Sequence, residues 1–123
     1  MLILSNDNAE MYTLGLVHDI GKIYDSEAHA ELGFKIMQNT GYKYCNEIFY
    51  HGKCQNEYKS KELTLLNVAD LLVSSKGKIV RAKDRLLDIG VRYGFTSNQY
   101  VMAEKLAKIL HTEIADAEKR LNL

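Results

Sequence analysis

The chain has 123 residues, 46% of them hydrophobic and 26% charged, and its 16 basic residues are balanced by 16 acidic ones. That balance fits one soluble globular domain with one core, and it excludes the one-signed field that non-specific nucleic-acid or anionic-membrane binding requires. No apolar run approaches the roughly 20 residues of a membrane span and Met1-Leu2-Ile3-Leu4 is too short for a signal-peptide core, so a cytoplasmic protein is expected.

Proline is absent, which removes the strongest helix breaker. With few stretches of alternating apolar and polar residues, the sequence predicts an all-α fold, a compact single-domain bundle of about five helices over residues 1–123. Ser5-Asn6-Asp7-Asn8 offers caps for a first helix beginning near Asn8. In that helix Ala9, Tyr12, Leu16 and Asp19 are spaced three or four apart, on a side predicted to face the interior. The helix delivers His18 and Asp19 at its end. A buried carboxylate needs compensation, and a divalent metal is the strongest compensator available. Gly21 is expected to turn the backbone tightly and leave Lys22 over the mouth of the pocket. His18 and Asp19 are thus candidate metal ligands, and Lys22 is a candidate phosphate contact.

A second helix, capped by Asp25 or Ser26 and closed by Gly41 as a left-handed C-cap, carries His29, Leu32, Gly33, Ile36 and Met37 on one stripe. A lone histidine on such a stripe is more often a hydrogen-bonded core residue than a ligand, so His29 depends on its neighbours for a metal role. The third helical stretch, Tyr42 to Tyr50, places Tyr44, Ile48 and His51 on its inner edge. Cys45 and Cys54 read as reduced thiols. With His51 they make an incomplete zinc set whose spacing fits no usual finger.

After a polar loop from Lys53 to Lys59, Ser60 is the expected N-cap of a fourth helix running to about Ser75 and stopping at Gly77. Leu63, Leu66, Asp70 and Val73 share one stripe, with Asn67 beside them. Asp70 among leucines needs a partner, either a metal or an arginine or lysine. Lys76, Lys78, Arg81, Lys83 and Arg85 read as a solvated charge run. Asp84 is the expected cap of a short helix holding Leu86, Ile89, Gly90 and Tyr93. A long last helix, 97–121, carries Ala103, Ala107, Leu110, Ile114, Ala117 and Leu121 as a lid or a dimerisation surface, with His111 structural or exposed.

The ordered set His18-Asp19, His29, His51 and Asp70 puts three imidazoles and two carboxylates on inward-looking helix faces or ends. Such a mixture suits one or two ions of manganese, iron, cobalt, nickel, zinc or magnesium. In this set the chain resembles the HD-domain superfamily of metal-dependent phosphohydrolases. The matching residues are Gly15-Leu16-Val17-His18-Asp19-Ile20-Gly21-Lys22, His29-Ala30-Glu31-Leu32-Gly33, Tyr50-His51-Gly52 and Asn67-Val68-Ala69-Asp70-Leu71-Leu72. The likeness covers roughly residues 9–94, and the ordered combination is more specific than any single motif.

The resemblance implies an all-α bundle around the metal. His18, Asp19 and Asp70 would bind a first ion, and Asp19 would bridge to a second held by His29 and His51. It further implies hydrolysis of a phosphate ester, a nucleotide or another small phosphorylated metabolite, by metal-activated water. Lys22 would hold the scissile phosphate, and His29 or His51, where not ligating, would bind phosphate or protonate the leaving oxygen. The family usually carries another metal-binding histidine on a helix before the His-Asp pair, whereas no histidine precedes His18. Water or a partner chain is then expected to complete the shell, and a homodimer to cover the groove left by the absent helix. The alternative is a catalytically impaired module that binds a nucleotide or protein partner as a sensor or scaffold. Gly52 stands where cyclic-di-GMP phosphodiesterases of the superfamily show a second histidine, and Gly21-Lys22 where alarmone hydrolases show an acidic pair, which sets both groups aside.

Overall fold

The computed structural model describes residues 8–23, 28–54 and 57–123. Among the described residues run seven α-helices: α1 Ala9–Val17, α2 His29–Gln38, α3 Cys45–Tyr50, α4 Lys61–Asp70, α5 Ala82–Tyr93, α6 Asn98–Ile109 and α7 His111–Arg120. A 3-10 helix, Ile20–Ile23, follows α1. The only β contact among the described residues is an isolated antiparallel bridge between Val73 and Ile79. The fold is therefore all-α, with more and shorter helices than the five that periodicity predicts. No described helix is long and apolar enough to cross a membrane. The chain divides into two compact units, Met1–His51 with Gln55–Leu66, and Gly52–Cys54 with Asn67–Leu123.

In the first unit Asn8 caps α1, its Oδ1 accepting from the amides of Glu10 at 2.9 Å and Met11 at 3.3 Å. The other proposed caps, Ser5 to Asp7, lie outside the described residues, as do Asp25 and Ser26 before α2. The buried face of α1 is Met11 and Leu14, whereas Tyr12 and Leu16, expected to face inward, are exposed. Apolar residues stand on several sides of this helix, so their spacing alone does not select the face that packs. Met11 and Leu14 join Ile48 of α3 and Leu66 of α4 in one core, with Val17, Met37, Tyr42, Tyr44 and Leu65 packed around it.

Gly41 closes α2 in the left-handed region at φ 74°. Its amide reaches the carbonyl of Gln38 and that of Tyr42 reaches Met37, so the open carbonyls at the helix end are satisfied. The helix α3 is short, starting at Cys45 rather than Tyr42, and it buries Glu47 almost completely. The Tyr58 hydroxyl at 2.6 Å and the Ser60 hydroxyl at 2.7 Å both donate to Glu47 Oε2. Ser60 also accepts from the Leu63 amide at 3.0 Å, which makes it the cap of α4 as expected.

In the second unit α4 ends at Asp70, not near Ser75. Beyond it the chain doubles back, the Val80 amide bonding to the Leu72 carbonyl and the Ser74 amide to the Lys78 carbonyl, each at 2.8 Å. The Ser74 hydroxyl accepts from the amides of Lys76 and Lys78, offering the backbone an alternative to helix that periodicity cannot register. The Ser75 amide and hydroxyl bond to Asp88, as does Arg85, so this turn is tied to α5. Lys76, Lys78, Arg81 and Lys83 are exposed, as a solvated run should be. The helix α5 begins at Ala82, so Asp84 lies in its first turn and does not cap it. The expected single helix over 97–121 is broken at Leu110, whose backbone sits at φ −95° and ψ 20°. Ala103, Leu110, Ile114 and Ala117 are nonetheless buried, so the stripe survives the break, and His111 is exposed at the start of α7.

Candidate metal centre

The dipeptide at the end of α1 is placed by the way that helix stops. His18 is its C-cap, and its Nδ1 lies 2.8 Å from the Gly15 carbonyl three residues back. A carbonyl only accepts, so Nδ1 carries the proton and, in the neutral ring, Nε2 presents a lone pair. His51 repeats this arrangement at the end of α3, with Nδ1 2.5 Å from the Ile48 carbonyl. Both rings therefore aim an Nε2 at the same group. His18 Nε2 is 3.2 Å from Asp19 Oδ2, and His51 Nε2 is 3.2 Å from Asp19 Oδ1.

His29, the first residue of α2, enters from a third direction. Its Nε2 lies 3.4 Å from Asp19 Oδ1 and 2.9 Å from His51 Nε2. The His51 ring meets His18 and His29 edge-on, with centroids 5.0 and 4.9 Å apart. Lys22 comes from the 3-10 helix, half-exposed, with Nζ 3.4 Å from Asp19 Oδ2. The close fit behind these residues depends on two glycines. A Cβ on Gly21 would overlap the carbonyl of His29 and the amide of Gly33, and a Cβ on Gly33 would come 2.9 Å from Ile48. Gly21 lies in the expected tight turn, closed by the Lys22 amide donating to the Asp19 carbonyl at 2.9 Å, and its missing side chain also lets the 3-10 helix approach α2 closely.

Asp19 Oδ1 is buried and accepts no well-formed hydrogen bond. Burial, the largest single influence on this carboxyl, pushes its pKa up, but the imidazoles of His18 and His51 and the charge of Lys22 outweigh it and hold the group far below the usual carboxylate range. That effect needs positive charge on the ring side of the carboxylate, a proton on Nε2 or a metal ion in its place, because Nδ1 already donates to a main-chain carbonyl. Neutral imidazoles aimed this way repel the carboxylate unless a cation lies between them.

The donor chemistry fits a metal ion. Donor atoms of His18, Asp19 and His51 all lie within 4.8 Å of one another, so this cluster can hold one. With metal–ligand bonds of roughly 2.0–2.2 Å, neighbouring donors lie about 3.0 Å apart on an octahedron and about 3.4 Å apart on a tetrahedron. The 3.2 Å spacings from His18 Nε2 to Asp19 Oδ2 and from His51 Nε2 to Asp19 Oδ1 fall in that range.

Of the residues singled out in the sequence, His18, Asp19, Lys22, His29 and His51 are brought together. Asp70 is the half-buried last residue of α4 and belongs to the second unit. Cys45 and Cys54 bond through sulfur to the carbonyls of Tyr42 and Met102, and burial pushes both thiols up. Sequence reasoning missed the carbonyls of Gly15 and Ile48, which orient two of the rings. The signal available was a histidine just past the last turn of a helix, where the carbonyl three residues back has no helical partner. Comparison with protein-family models, curated proteins and solved structures finds no match to the chain.

Proposed function

We propose that this protein is a metal-dependent phosphohydrolase acting on a nucleotide or other small phosphate ester. The observation that carries the reading is the pair of imidazoles, His18 and His51, each fixed by a main-chain carbonyl at Nδ1 and each aiming Nε2 at the half-buried carboxylate of Asp19. Carbonyl-oriented histidines around a carboxylate are the usual second-shell arrangement of a metal site. The likeness of His18-Asp19-Ile20-Gly21-Lys22, His29 and His51 to the HD-domain pattern supports the same reading.

His18, Asp19 and His51 would hold the ion and His29 would either join them or face the substrate. Three imidazoles to one carboxylate favour manganese, iron, cobalt, nickel or zinc over magnesium, which prefers oxygen donors. A bound divalent ion supplies Lewis acidity, lowering the pKa of a water and offsetting charge on phosphate oxygens. Lys22 reaches the same carboxylate from the exposed side, where its ammonium would meet an incoming phosphate. His29 would give a proton to the leaving oxygen. Asp70 enters this proposal through the resemblance alone.

The test is phosphate release from a nucleotide panel with manganese, cobalt or nickel, beside an Asp19→Ala control. Metal-dependent release by the parent protein and none by the variant is the expected result. Equal release from both would end the enzymatic reading, and nucleotide binding without turnover in any metal would favour the sensor or scaffold alternative.

A further inference from the structure

His51 is held on its ring side by the Ile48 carbonyl, but its backbone is already outside the helix, extended at φ −61° and ψ 140°. The helix fixes such a residue on one side only, and a change in φ of His51 would swing its ring and the Gly52 peptide together, so whatever holds the Gly52 amide also restrains the ring. The next residue in the chain, Gly52, sits in the left-handed region at φ 76°. Its amide donates to Asn67 Oδ1 at 2.8 Å. Asn67 is buried in the middle of α4, at 5% exposure.

That position needs an explanation. Asparagine is a poor helix-interior residue, because its side chain competes for backbone groups, and a buried amide costs free energy unless it is bonded. Neighbouring positions Leu66, Val68 and Ala69 are buried hydrophobics, so packing alone would be served by another aliphatic side chain. What an aliphatic residue lacks is an acceptor for the Gly52 amide.

We infer that Asn67 is a positioning residue for the metal centre, clamping the Gly52 amide so that the His51 backbone, and with it the Nε2 that faces Asp19, is held in register. The inference rests on the metal reading for its consequence in affinity, but not for its effect on the ring. Loss of a partner that orients a ligating histidine typically costs 10–100-fold in metal affinity. Asn67→Leu removes the acceptor at similar volume, and Asn67→Asp keeps it.

The experiment combines cobalt(II) titration with nitrogen-15 spectra of the histidine rings and amide exchange, on the full chain. In the parent protein the Gly52 amide should be protected from exchange like a helical amide, and His51 should show a single Nδ1-protonated tautomer. Asn67→Leu should lose the protection, mix the His51 tautomers and weaken cobalt binding 10–100-fold, while Asn67→Asp retains all three. An unprotected Gly52 amide in the parent protein would overturn the inference even if Asn67→Leu fails to fold. A folded Asn67→Leu with unchanged His51 spectra and cobalt affinity would also overturn it. If the parent protein binds no cobalt, the metal reading fails by itself and the ring spectra still decide the role of Asn67.

Discussion

Asp19 and Lys22 share one carboxylate–ammonium contact, and the proposed function gives them separable jobs. Among the described residues Asp19 is the only carboxylate in the cluster with His18 and His51, so Asp19→Asn, which keeps the shape and removes the charge, is expected to weaken cobalt(II) binding at least 100-fold by calorimetry. Lys22 is half-exposed on the open side of the same carboxylate. A charge-assisted hydrogen bond to phosphate contributes about 1.5–3 kcal/mol, or roughly 10–100-fold. Lys22→Ala should therefore raise KM for a phosphate ester by that factor and leave cobalt affinity within about threefold, a split visible in steady-state kinetics beside the titration. Loss of metal affinity in Lys22→Ala comparable to that of Asp19→Asn would show that the lysine serves the site's structure and not its substrate.

At the scale of elements, the site depends on how closely the 3-10 helix approaches α2. The atoms a Gly21 side chain would strike are main-chain ones that have nowhere to move. Overpacking a core costs about 1–3 kcal/mol when side chains can adjust. Gly21→Ala is expected to cost 3 kcal/mol or more in chemical denaturation and to displace His29; a loss below 1 kcal/mol would mean the contact relaxes freely. Ser60→Ala removes both a cap and a donor to buried Glu47, and about 1–2 kcal/mol should be lost. These examples also mark what was legible beforehand. The all-α class, the cap residues Asn8 and Ser60, the Gly41 stop and the inward histidines followed from local chemistry written in the residues themselves. The inward face of α1, the early end of α4 and the break at Leu110 did not. Each depends on a tertiary choice: which side of an evenly apolar helix meets Ile48, whether Ser74 bonds to its own turn, and how α7 packs on α6. The tight turn at Gly21 is legible in the residues, but its close approach to α2 is not, because contact between elements leaves no trace in spacing.

For the whole molecule, the division into two units would make an ion bound at His18, Asp19 and His51 a local stabiliser. The described donors of the cluster, His18, Asp19 and His51, all belong to the first unit, as does the core of Met11, Leu14, Ile48 and Leu66 that holds α1 against α3. A ligand that binds only the folded state stabilises by RT ln(1 + [L]/Kd), about 2.7 kcal/mol at a hundredfold excess over Kd. Opening of α1 and α3 releases the histidines, so the gain should appear in amide exchange of Ala9–Val17 and Cys45–Tyr50. The amides of α5 to α7, whose buried contacts lie in the second unit, should exchange at nearly the same rate with and without cobalt. The parent protein and Asn67→Leu should differ in the size of the gain, and Asp19→Asn should show none. Protection rising equally in α1, α3 and α7 would mean that the two units open together. Protection confined to α5–α7 would place the ion elsewhere and remove the ground for assigning it to His18, Asp19 and His51.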